Sequence, residues 1–297
     1  MGKSLVLVGA GHAHLTTISA TRSLVNRGHT VTVISPADHH YYSGMAPGML
    51  AGIYRPQQVR FNVRKLSTGR GGQFVKGEVT GIDTSRQEVT LDDGQRIPYD
   101  VVSFNVGSTI PVGALRSDAP SVFTVKPIEK IVEGRKAVLG LWSRRDPGSP
   151  IELVVIGGGP AGVEMAGALW RLSRDNRIES RVTLATGGRL LGLYPSRLQA
   201  KVYRSLGKRG IQIREGSRVR SIETGRVVLE DGSSLPSDVT FIATGVVPSR
   251  LFSESGLPTG GDGGLLVNSY LQSVEHPGIF GGGDCITVQG VNLARVG

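Results

Sequence analysis

Cysteine is nearly absent from this chain of 297 residues. The single cysteine, Cys285, excludes an intramolecular disulfide and any metal site built from several thiolates, which fits a reducing compartment. We interpret Cys285 as a small buried residue, because a lone thiol has no resolving partner. His12 and His14 lack a third ligand nearby, so we predict no metal site.

Long apolar runs are also absent. No stretch approaches the roughly 18–20 apolar residues that a membrane-spanning helix needs. The N-terminus enters a strand without a basic and then apolar signal segment. We therefore expect a cytoplasmic protein, or one held peripherally at the cytosolic face of a membrane.

Acidic residues are scarce in one part of the chain. Between Arg171 and Arg220 there are thirteen Lys and Arg against three acidic residues, so this stretch carries +10, the net charge of the whole chain. The stretch is either a solvated helix surface or a basic face that attracts an anionic partner. An anionic membrane surface is one such partner, and nucleic acid is the less favoured one.

The beginning of the chain recurs in its middle. Residues 5–15 read LVLVGAGHAHL, and residues 152–164 read ELVVIGGGPAGVE. The match continues downstream, where HTVTVIS at 29–35 corresponds to SRVTLAT at 180–186. A chance pair of glycines would not be accompanied by roughly a hundred further matching residues, so the chain contains a duplicated unit.

Each copy is predicted to run strand, glycine turn, helix, strand, small antiparallel meander and last strand. The pairs Asp93-Gly94 and Asp231-Gly232 predict two-residue hairpin turns within the meanders. Helices alternating with Val- and Ile-rich strands indicate a parallel sheet covered on both faces. The predicted fold class is α/β, with two Rossmann-type units that have β-meander crossovers, the second inserted in the first.

The glycine turns are typical of dinucleotide binding. The first glycine permits the turn, the second lets a pyrophosphate approach backbone N–H groups, and the third allows close helix packing. The second copy carries all three as Gly157, Gly159 and Gly162. The first copy has Gly9 and Gly11 but His14 at the third position, so we expect phosphate binding with a slightly displaced helix.

Further motifs resemble those of the two-dinucleotide-binding flavoproteins, the pyridine nucleotide-disulfide oxidoreductase superfamily. HPGIFGGGDC at 276–285 is similar to the second flavin fingerprint of that superfamily, in which the aspartate, here Asp284, hydrogen-bonds the ribityl chain. ATG at 243–245 and NVGS at 105–108 resemble the motifs of that superfamily at which the chain crosses between the two domains. The resemblance covers nearly the whole chain and implies FAD and a nicotinamide nucleotide as cofactors.

Within the superfamily the chain most resembles type 2 NADH dehydrogenases and ferroptosis-suppressor-type quinone reductases. GHAHL at 11–15 and YYSGMAPGMLAG at 41–52 resemble the NADH-dehydrogenase-like module found fused to selenophosphate synthetase. Disulfide reductases of the superfamily carry a Cys-x4-Cys pair near residues 40–50, and sulfide:quinone reductases need two reactive cysteines. With Cys285 alone, electrons are expected to pass from the flavin directly to an acceptor.

The resemblance implies a set of residues for FAD. Ser35 stands where relatives often have a glutamate for the adenosine ribose, so that contact is expected to be weakened. The implied FAD residues are Gly9, Gly11, His12, Ala13, His14, Ser35, Ser43, Gly44, Met45, Val79, Gly107, Ser108, Gly283 and Asp284.

A second set is implied for NADH or NADPH. The usual NADH-selecting carboxylate is missing after the second strand of the second copy, which ends Ala185-Thr186, so NADPH is a candidate as well. Catalytic roles are implied for Glu164, near the nicotinamide, and for Lys126, facing the flavin. The implied nucleotide-binding residues are Gly157, Gly159, Pro160, Gly162, Thr186, Arg189 and Gly245.

The Gly-Asp motif lies beyond the second copy, so the flavin domain must be discontinuous. We predict an FAD-binding domain at 1–110 and 250–297 and an NAD(P)H-binding domain at 111–249. In relatives a C-terminal segment follows the Gly-Asp motif, and we expect that segment to be missing here.

The predicted function is FAD-dependent NAD(P)H:acceptor oxidoreduction, with hydride transfer to FAD and then reduction of a quinone or similar acceptor. A ferredoxin- or monooxygenase-type flavoprotein is an enzyme alternative. The other alternative resembles apoptosis-inducing factor, in which a basic face binds an anionic partner and redox chemistry is slow. A homodimer is one candidate assembly.

Overall fold

The computed structural model describes residues 2–111, 116–117, 119–146 and 148–291, which divide into two compact units. Of the described residues, the first unit contains 2–42, 60–109 and 247–291. The second unit contains residues 43–59 and 110–246. The last six residues of the predicted flavin segment 250–297 lie outside the described part of the chain.

The first unit is organised around a parallel sheet whose strand order is β22-β9-β1-β2-β5. Residues 6–8 of β1 and 31–35 of β2 are buried without interruption, as expected for strands covered on both faces. These five strands are β1 (Ser4–Val8), β2 (Thr30–Ser35), β5 (Gln73–Lys76), β9 (Val101–Phe104) and β22 (Ile279–Gly281).

Short helices and an antiparallel meander complete the first unit. The helices are α1 (His12–Ser19), α2 (Thr21–Asn26), α4 (Val63–Thr68) and α8 (Leu251–Glu254). The meander is β6 (Val79–Asp83), β7 (Glu88–Leu91) and β8 (Arg96–Pro98). Paired short strands are β3 (His39–Tyr41) with β4 (Arg60–Asn62), β10 (Ser108–Thr109) with β20 (Val247–Pro248), and β21 (Leu265–Val267) with β23 (Ile286–Val288).

The second unit repeats this plan, with a parallel sheet in the order β12-β19-β13-β14-β15. Its strands are β12 (Val122–Thr124), β13 (Ile151–Ile156), β14 (Ser180–Ala185), β15 (Gln212–Arg214) and β19 (Val239–Ile242). Its helices are α3 (Ala46–Leu50), α5 (Glu129–Trp142), α6 (Pro160–Asp175) and α7 (Ser196–Gly207). The meander is β16 (Val219–Glu223), β17 (Arg226–Leu229) and β18 (Ser234–Pro236), to which β11 (Arg116–Ser117) adds a parallel strand.

The two matching sheets and the discontinuous first unit confirm the predicted α/β class with two Rossmann-type units, one inserted in the other. Among the described residues, no helix has both the length and the apolar character needed to cross a bilayer.

The predicted two-residue hairpin turns are wrong in detail. β7 ends at Leu91 and β8 begins at Arg96, so four residues connect them. Gly94 has φ +86° and Gly232 has φ +84°, whereas Asp93 and Asp231 are not left-handed. A type I′ turn requires positive φ at both central residues. Each glycine instead supplies the single left-handed position of a longer loop.

The structure also divides the chain differently from the predicted boundaries at residues 43–59. Met49 and Leu50 on α3 are buried, and α3 packs against α5 and α6 of the second unit. The apolar residues of this segment therefore belong to the core of the second unit, although both neighbouring parts of the chain belong to the first.

Candidate functional site

The first glycine turn, between β1 and α1, begins with a glycine that has no room for a side chain. Gly9 has φ +81°, a region that favours glycine. Its N–H donates to the Ile34 carbonyl at 2.8 Å. A Cβ on Gly9 would stand 2.4 Å from the Asn105 carbonyl oxygen. Gly9 therefore allows the turn to lie directly against the backbone that follows β9.

The second glycine of this turn has a structural reason that the sequence did not reveal. A Cβ on Gly11 would stand 2.1 Å from Oδ1 of Asn105. At its counterpart Gly159, no atom of the described residues other than Gly159 and its two chain neighbours lies within 4 Å of the corresponding Cβ position. Gly159 thus leaves space beside the turn, whereas the space beside Gly11 is filled by a side chain of the protein.

His14 lies beneath the first turn and fastens it to β9. The residue is only 3% exposed, its Nδ1 lies 2.6 Å from the Gly9 carbonyl, and its Nε2 lies 2.9 Å from Ser103 Oγ. Because a carbonyl only accepts, Nδ1 donates and the Ser103 hydroxyl donates to Nε2. Burial lowers the pKa of His14 to about 4, partly offset by the hydrogen bond to Gly9.

The helix after the first turn begins without a side-chain cap. Gly11 is its N-cap and makes no side-chain hydrogen bond, and the first helical residues, His12 and Ala13, are exposed. Backbone N–H groups at such a helix start are available to an anion. The Ala13 Cβ lies 2.9 Å from the position that a Cβ on Gly282 would take, so the Gly-Asp segment adjoins this helix start.

The structure brings together the predicted residues Asp284 and Ser108. Ser108 Oγ donates to Asp284 Oδ2 at 3.0 Å. Gly107 and Gly283, one residue before each, have φ values of +71° and +74°. The two segments are therefore adjacent, and the orientation of the Asp284 carboxylate is fixed by a hydrogen bond.

The remaining residues predicted for FAD are more scattered. Ser35 is the buried last residue of β2, and Val79, the first residue of the meander strand β6, is 8% exposed in the core. Ser43, Gly44 and Met45 form a 3-10 turn that groups with the second unit.

The second glycine turn, between β13 and α6, follows the predicted pattern closely. A Cβ on Gly157 would stand 2.2 Å from the Ala243 carbonyl oxygen, and one on Gly162 would stand 1.8 Å from the Gly157 carbonyl oxygen. Gly159 is the N-cap of α6 without a side-chain cap, and Pro160 is the first helical residue. α6 starts close against the turn and runs 16 residues, whereas α1 has eight.

The loops that follow β14 and β15 of the second sheet carry basic side chains and one carboxylate. Thr186 is buried, and the Arg218 side chain lies 3.5 Å from the Cβ position of Gly187. Glu215 Oε1 accepts from the Leu190 N–H at 2.6 Å and from the Tyr203 hydroxyl. The Tyr203 and Leu190 hydrogen bonds and the nearby Arg189 lower the pKa of Glu215. Sequence reasoning named Thr186 and Arg189 and missed Glu215, which follows another strand.

The two predicted catalytic residues and Gly245 lie in the second unit. Glu164 is exposed on α6, five residues after the Gly159 cap. Gly245 is exposed after β19. Lys126 is half-buried and lies before α5, which begins at Glu129; the residue before a proline disfavours helical backbone, and Pro127 follows Lys126 directly.

The basic stretch of the sequence forms a regular pattern on α7. Four exposed residues at spacings of four, three and four lie on one face, three of them within the helix and the last at its C-cap, as helical periodicity predicts. Two further arginines contact Trp170 on α6: the Arg174 and Arg209 guanidinium groups lie 4.8 and 4.9 Å from its ring centroid. We call the four residues the basic stripe: Arg197, Lys201, Arg204 and Lys208.

Cys285 is fully buried, as predicted, and burial raises its pKa to about 11. The thiolate is the reactive form of cysteine, so this side chain is chemically inert at neutral pH. In the part of the chain that the structure describes, no group of three or more His, Cys, Asp or Glu side chains is placed to hold a metal ion.

Residues 3–297 match the family described as pyridine nucleotide-disulphide oxidoreductase. Putidaredoxin reductase of Pseudomonas putida is 26% identical over 95% of this chain and 66% of its own length. An internal alternative NAD(P)H-ubiquinone oxidoreductase of Arabidopsis thaliana mitochondria is 24% identical over 86% of this chain and 56% of its own.

Among solved structures, NDH2 of Plasmodium falciparum in complex with NADH superimposes with a TM-score of 0.81 at 17% identity, covering 97% of this chain and 65% of that one. The chain thus spans between about half and two thirds of these proteins. The matches confirm the predicted superfamily, whose members bind FAD and NAD(P)H, and its fold. The resemblance to a module fused to selenophosphate synthetase stays a prediction.

Proposed function

We infer that this chain, which belongs to the pyridine nucleotide-disulphide oxidoreductase family, oxidises NADH or NADPH through bound FAD and reduces a quinone or similar small acceptor. The observation that carries this proposal is the pair of glycine turns, each between the central strand of a parallel sheet and an uncapped helix. Two such turns in one chain provide one site for each dinucleotide.

The first unit fits FAD. The uncapped start of α1 offers N–H groups to the pyrophosphate, and the adjoining Gly-Asp segment offers Asp284 to the ribityl hydroxyls. Ser108 holds that carboxylate in place. Ser35, at the end of β2, is proposed to contact the adenosine ribose in place of a carboxylate.

The second unit fits NADH or NADPH. The space beside Gly159 is clear of protein atoms among the described residues, so a phosphate can approach the N–H groups at the start of α6. Thr186 and Arg189 replace the carboxylate that favours NADH, and Arg218 adds a second guanidinium beside Gly187. We therefore propose that NADPH is accepted as well as NADH.

The bound cofactors supply the redox chemistry, a hydride from the nicotinamide to the flavin. The chain supplies placement and charge, and Glu164 and Lys126 are the side chains proposed to act beside the reacting rings. Cys285 offers no thiol relay, because it is buried and its raised pKa keeps it protonated. Electrons therefore leave to a diffusible acceptor, and the name of the NAD(P)H-ubiquinone relative favours a quinone.

An anaerobic titration tests this function. The protein, reconstituted with FAD, is mixed with NADH or NADPH, and the visible flavin absorption band is followed. We expect the band to bleach within seconds and a water-soluble quinone to restore it at least about tenfold faster than dioxygen does. Replacing Glu164 with Gln is expected to slow bleaching at saturating NAD(P)H. Flavin that binds but bleaches only over minutes would contradict the proposal.

The basic stripe favours an anionic membrane surface as the place where a lipid-soluble acceptor is met. Each Lys or Arg near an anionic bilayer contributes about 1 kcal/mol. Replacing all four stripe residues by Gln is therefore expected to weaken binding to vesicles containing phosphatidylglycerol by more than about tenfold, measured by sedimentation at low and physiological salt.

The matched control for the stripe variant removes the same charge from exposed positions of the first unit. Equal loss in both variants would show that net charge alone governs binding, and would contradict a specific face. Binding to duplex DNA but not to vesicles would favour the alternative with a nucleic-acid partner. The control substitutions, all to Gln, are Lys3, Arg27, Lys65 and Lys76.

A further inference from the structure

The two copies of the duplicated unit differ at their glycine turns in a consistent way. Three positions of the first copy are polar: His14, Ser103 and Asn105. The corresponding residues of the second copy cannot form side-chain hydrogen bonds. They are Gly162, Phe241 and Ala243.

Asn105 joins the two segments proposed to hold FAD. It follows β9, and its Nδ2 donates to the Gly282 carbonyl at 2.5 Å. On the other side of the amide, Oδ1 lies against Gly11, where a Cβ would stand 2.1 Å away. A Cβ on Gly283 would stand 2.5 Å from Nδ2, so both segments need glycine where they meet this side chain.

The environment of Asn105 is unusual for a residue with only a packing role. It is 5% exposed, and Oδ1 has no hydrogen-bond partner among the described residues. A buried carbonyl oxygen without a partner destabilises a fold, so a residue with no other role would be better replaced by an apolar one. Ala243 shows that the fold accepts alanine at this position of the unit.

His14 acts on the same turn from below. Its ring donates to the Gly9 carbonyl and accepts from Ser103, so it ties the first glycine of the turn to β9. In the second copy, Gly162 instead packs directly against the Gly157 carbonyl, with no side chain between them.

We propose that Asn105 and His14 form a polar clamp that fixes the first glycine turn against the Gly282–Asp284 segment and so positions the two halves of the FAD site. The clamp rests on the proposed function, because it is defined by the segments that would hold the pyrophosphate and the ribityl chain. Neither side chain is proposed to touch the reacting atoms, so both are positioning residues. A consequence is that Gly11 is required mainly by Asn105.

Four full-length proteins test the clamp: the wild type, Gly11→Ala, Asn105→Ala and the double variant. FAD affinity is measured by quenching of flavin fluorescence on titration with apoprotein, and thermal unfolding of each apoprotein is recorded alongside. We expect Gly11→Ala and Asn105→Ala each to weaken FAD binding about tenfold, because each substitution misplaces one pair of contacts with FAD. The double variant is expected to bind FAD more tightly than Gly11→Ala, because the closest clash, 2.1 Å from the Asn105 side-chain oxygen, is gone and, of the three nearest atoms, only the Asn105 carbonyl oxygen at 3.0 Å remains near the new Cβ.

Asn105→Asp separates hydrogen bonding from packing. It keeps the shape of the side chain but presents a second acceptor to the Gly282 carbonyl. We expect FAD binding at least as weak as in Asn105→Ala, with NADPH affinity unchanged, since the second unit is not altered. A Gly11→Ala protein that folds only in the Asn105→Ala background would also support the clamp.

The outcomes that overturn the proposal are distinct from failure of the proposed function. If the wild type binds FAD and Asn105→Ala and Asn105→Asp bind it equally well, the clamp is wrong and the function stands. If Gly11→Ala is impaired equally in both backgrounds, Gly11 serves the nucleotide directly and the clamp is wrong. A wild-type chain that does not bind FAD overturns both.

Discussion

Replacing Gly162 with alanine is expected to destabilise the second unit by about 3 kcal/mol, the upper part of the range for forced overpacking. The added Cβ would stand 1.8 Å from the Gly157 carbonyl oxygen, which is backbone and cannot rotate away. Either α6 must move off the turn or the turn must open, and both disturb buried residues such as Leu169 and Leu184. Urea unfolding of the apoprotein, followed by circular dichroism, measures the effect.

Gly159→Ala is the matched control, with the same added methyl three residues earlier, at the N-cap of α6. Apart from residue 159 and its two chain neighbours, no atom of the described residues lies within 4 Å of the new Cβ, and Gly159 has φ −82°, which alanine adopts freely. We expect a stability loss below about 1 kcal/mol, the cost of a poorer N-cap. NADPH binding should nevertheless weaken by more than about tenfold, because the methyl occupies the proposed approach of the pyrophosphate. Equal stability losses in the two variants, or unchanged NADPH affinity in Gly159→Ala, would contradict this assignment.

The contrast between these two glycines shows what could be predicted from the sequence. The repeated order of strand, glycine turn, helix and meander predicted both sheets, because periodicity and turn residues act locally. The insertion was predicted from the position of the Gly-Asp motif beyond the second copy. The same repeat predicted tight packing at Gly162, since the third glycine of such a turn has a known packing role.

The contacts of Asn105 could not be predicted in this way. Its partner Gly282 is 177 residues away in the chain, and no local pattern specifies which carbonyl an asparagine will reach. The one available signal was the mismatch between the copies, Asn105 against Ala243 and His14 against Gly162. A polar residue that interrupts an internal repeat at a small, buried position is therefore a sign of a specific contact.

Residues 43–59 could not be assigned to the second unit from the sequence, for a different reason. Assigning them to the flavin domain assumed that a continuous segment stays with its neighbours. The buried side chains of Met49 and Leu50 instead pack with α5 and α6. Chain continuity constrains where a short segment can lie much less than burial of its apolar residues does.

Acid is expected to destabilise the first unit through His14 by about 3 kcal/mol between pH 6.5 and pH 4. In the folded chain, burial lowers the pKa of this imidazole from 6.5 to about 4. Between these values the unfolded chain binds a proton that the folded chain does not. The stabilisation is therefore complete above pH 6.5 and is lost as the pH falls toward 4.

His14→Gln isolates this contribution, because glutamine can donate to the Gly9 carbonyl and accept from Ser103 but does not titrate. Burial and the charge of His12 also lower the pKa of His40, so the wild type alone cannot assign the effect. The free energy of unfolding of both proteins should be measured in urea at pH 7, 5.5 and 4. The variant is expected to be less stable than the wild type at pH 7. Between pH 7 and pH 4, however, its free energy of unfolding should fall by about 3 kcal/mol less, because it lacks the imidazole that takes up a proton on unfolding. Parallel losses in the two proteins would mean that His14 is not held neutral beneath the turn, and that its two hydrogen bonds do not fix the backbone on which the first nucleotide site depends.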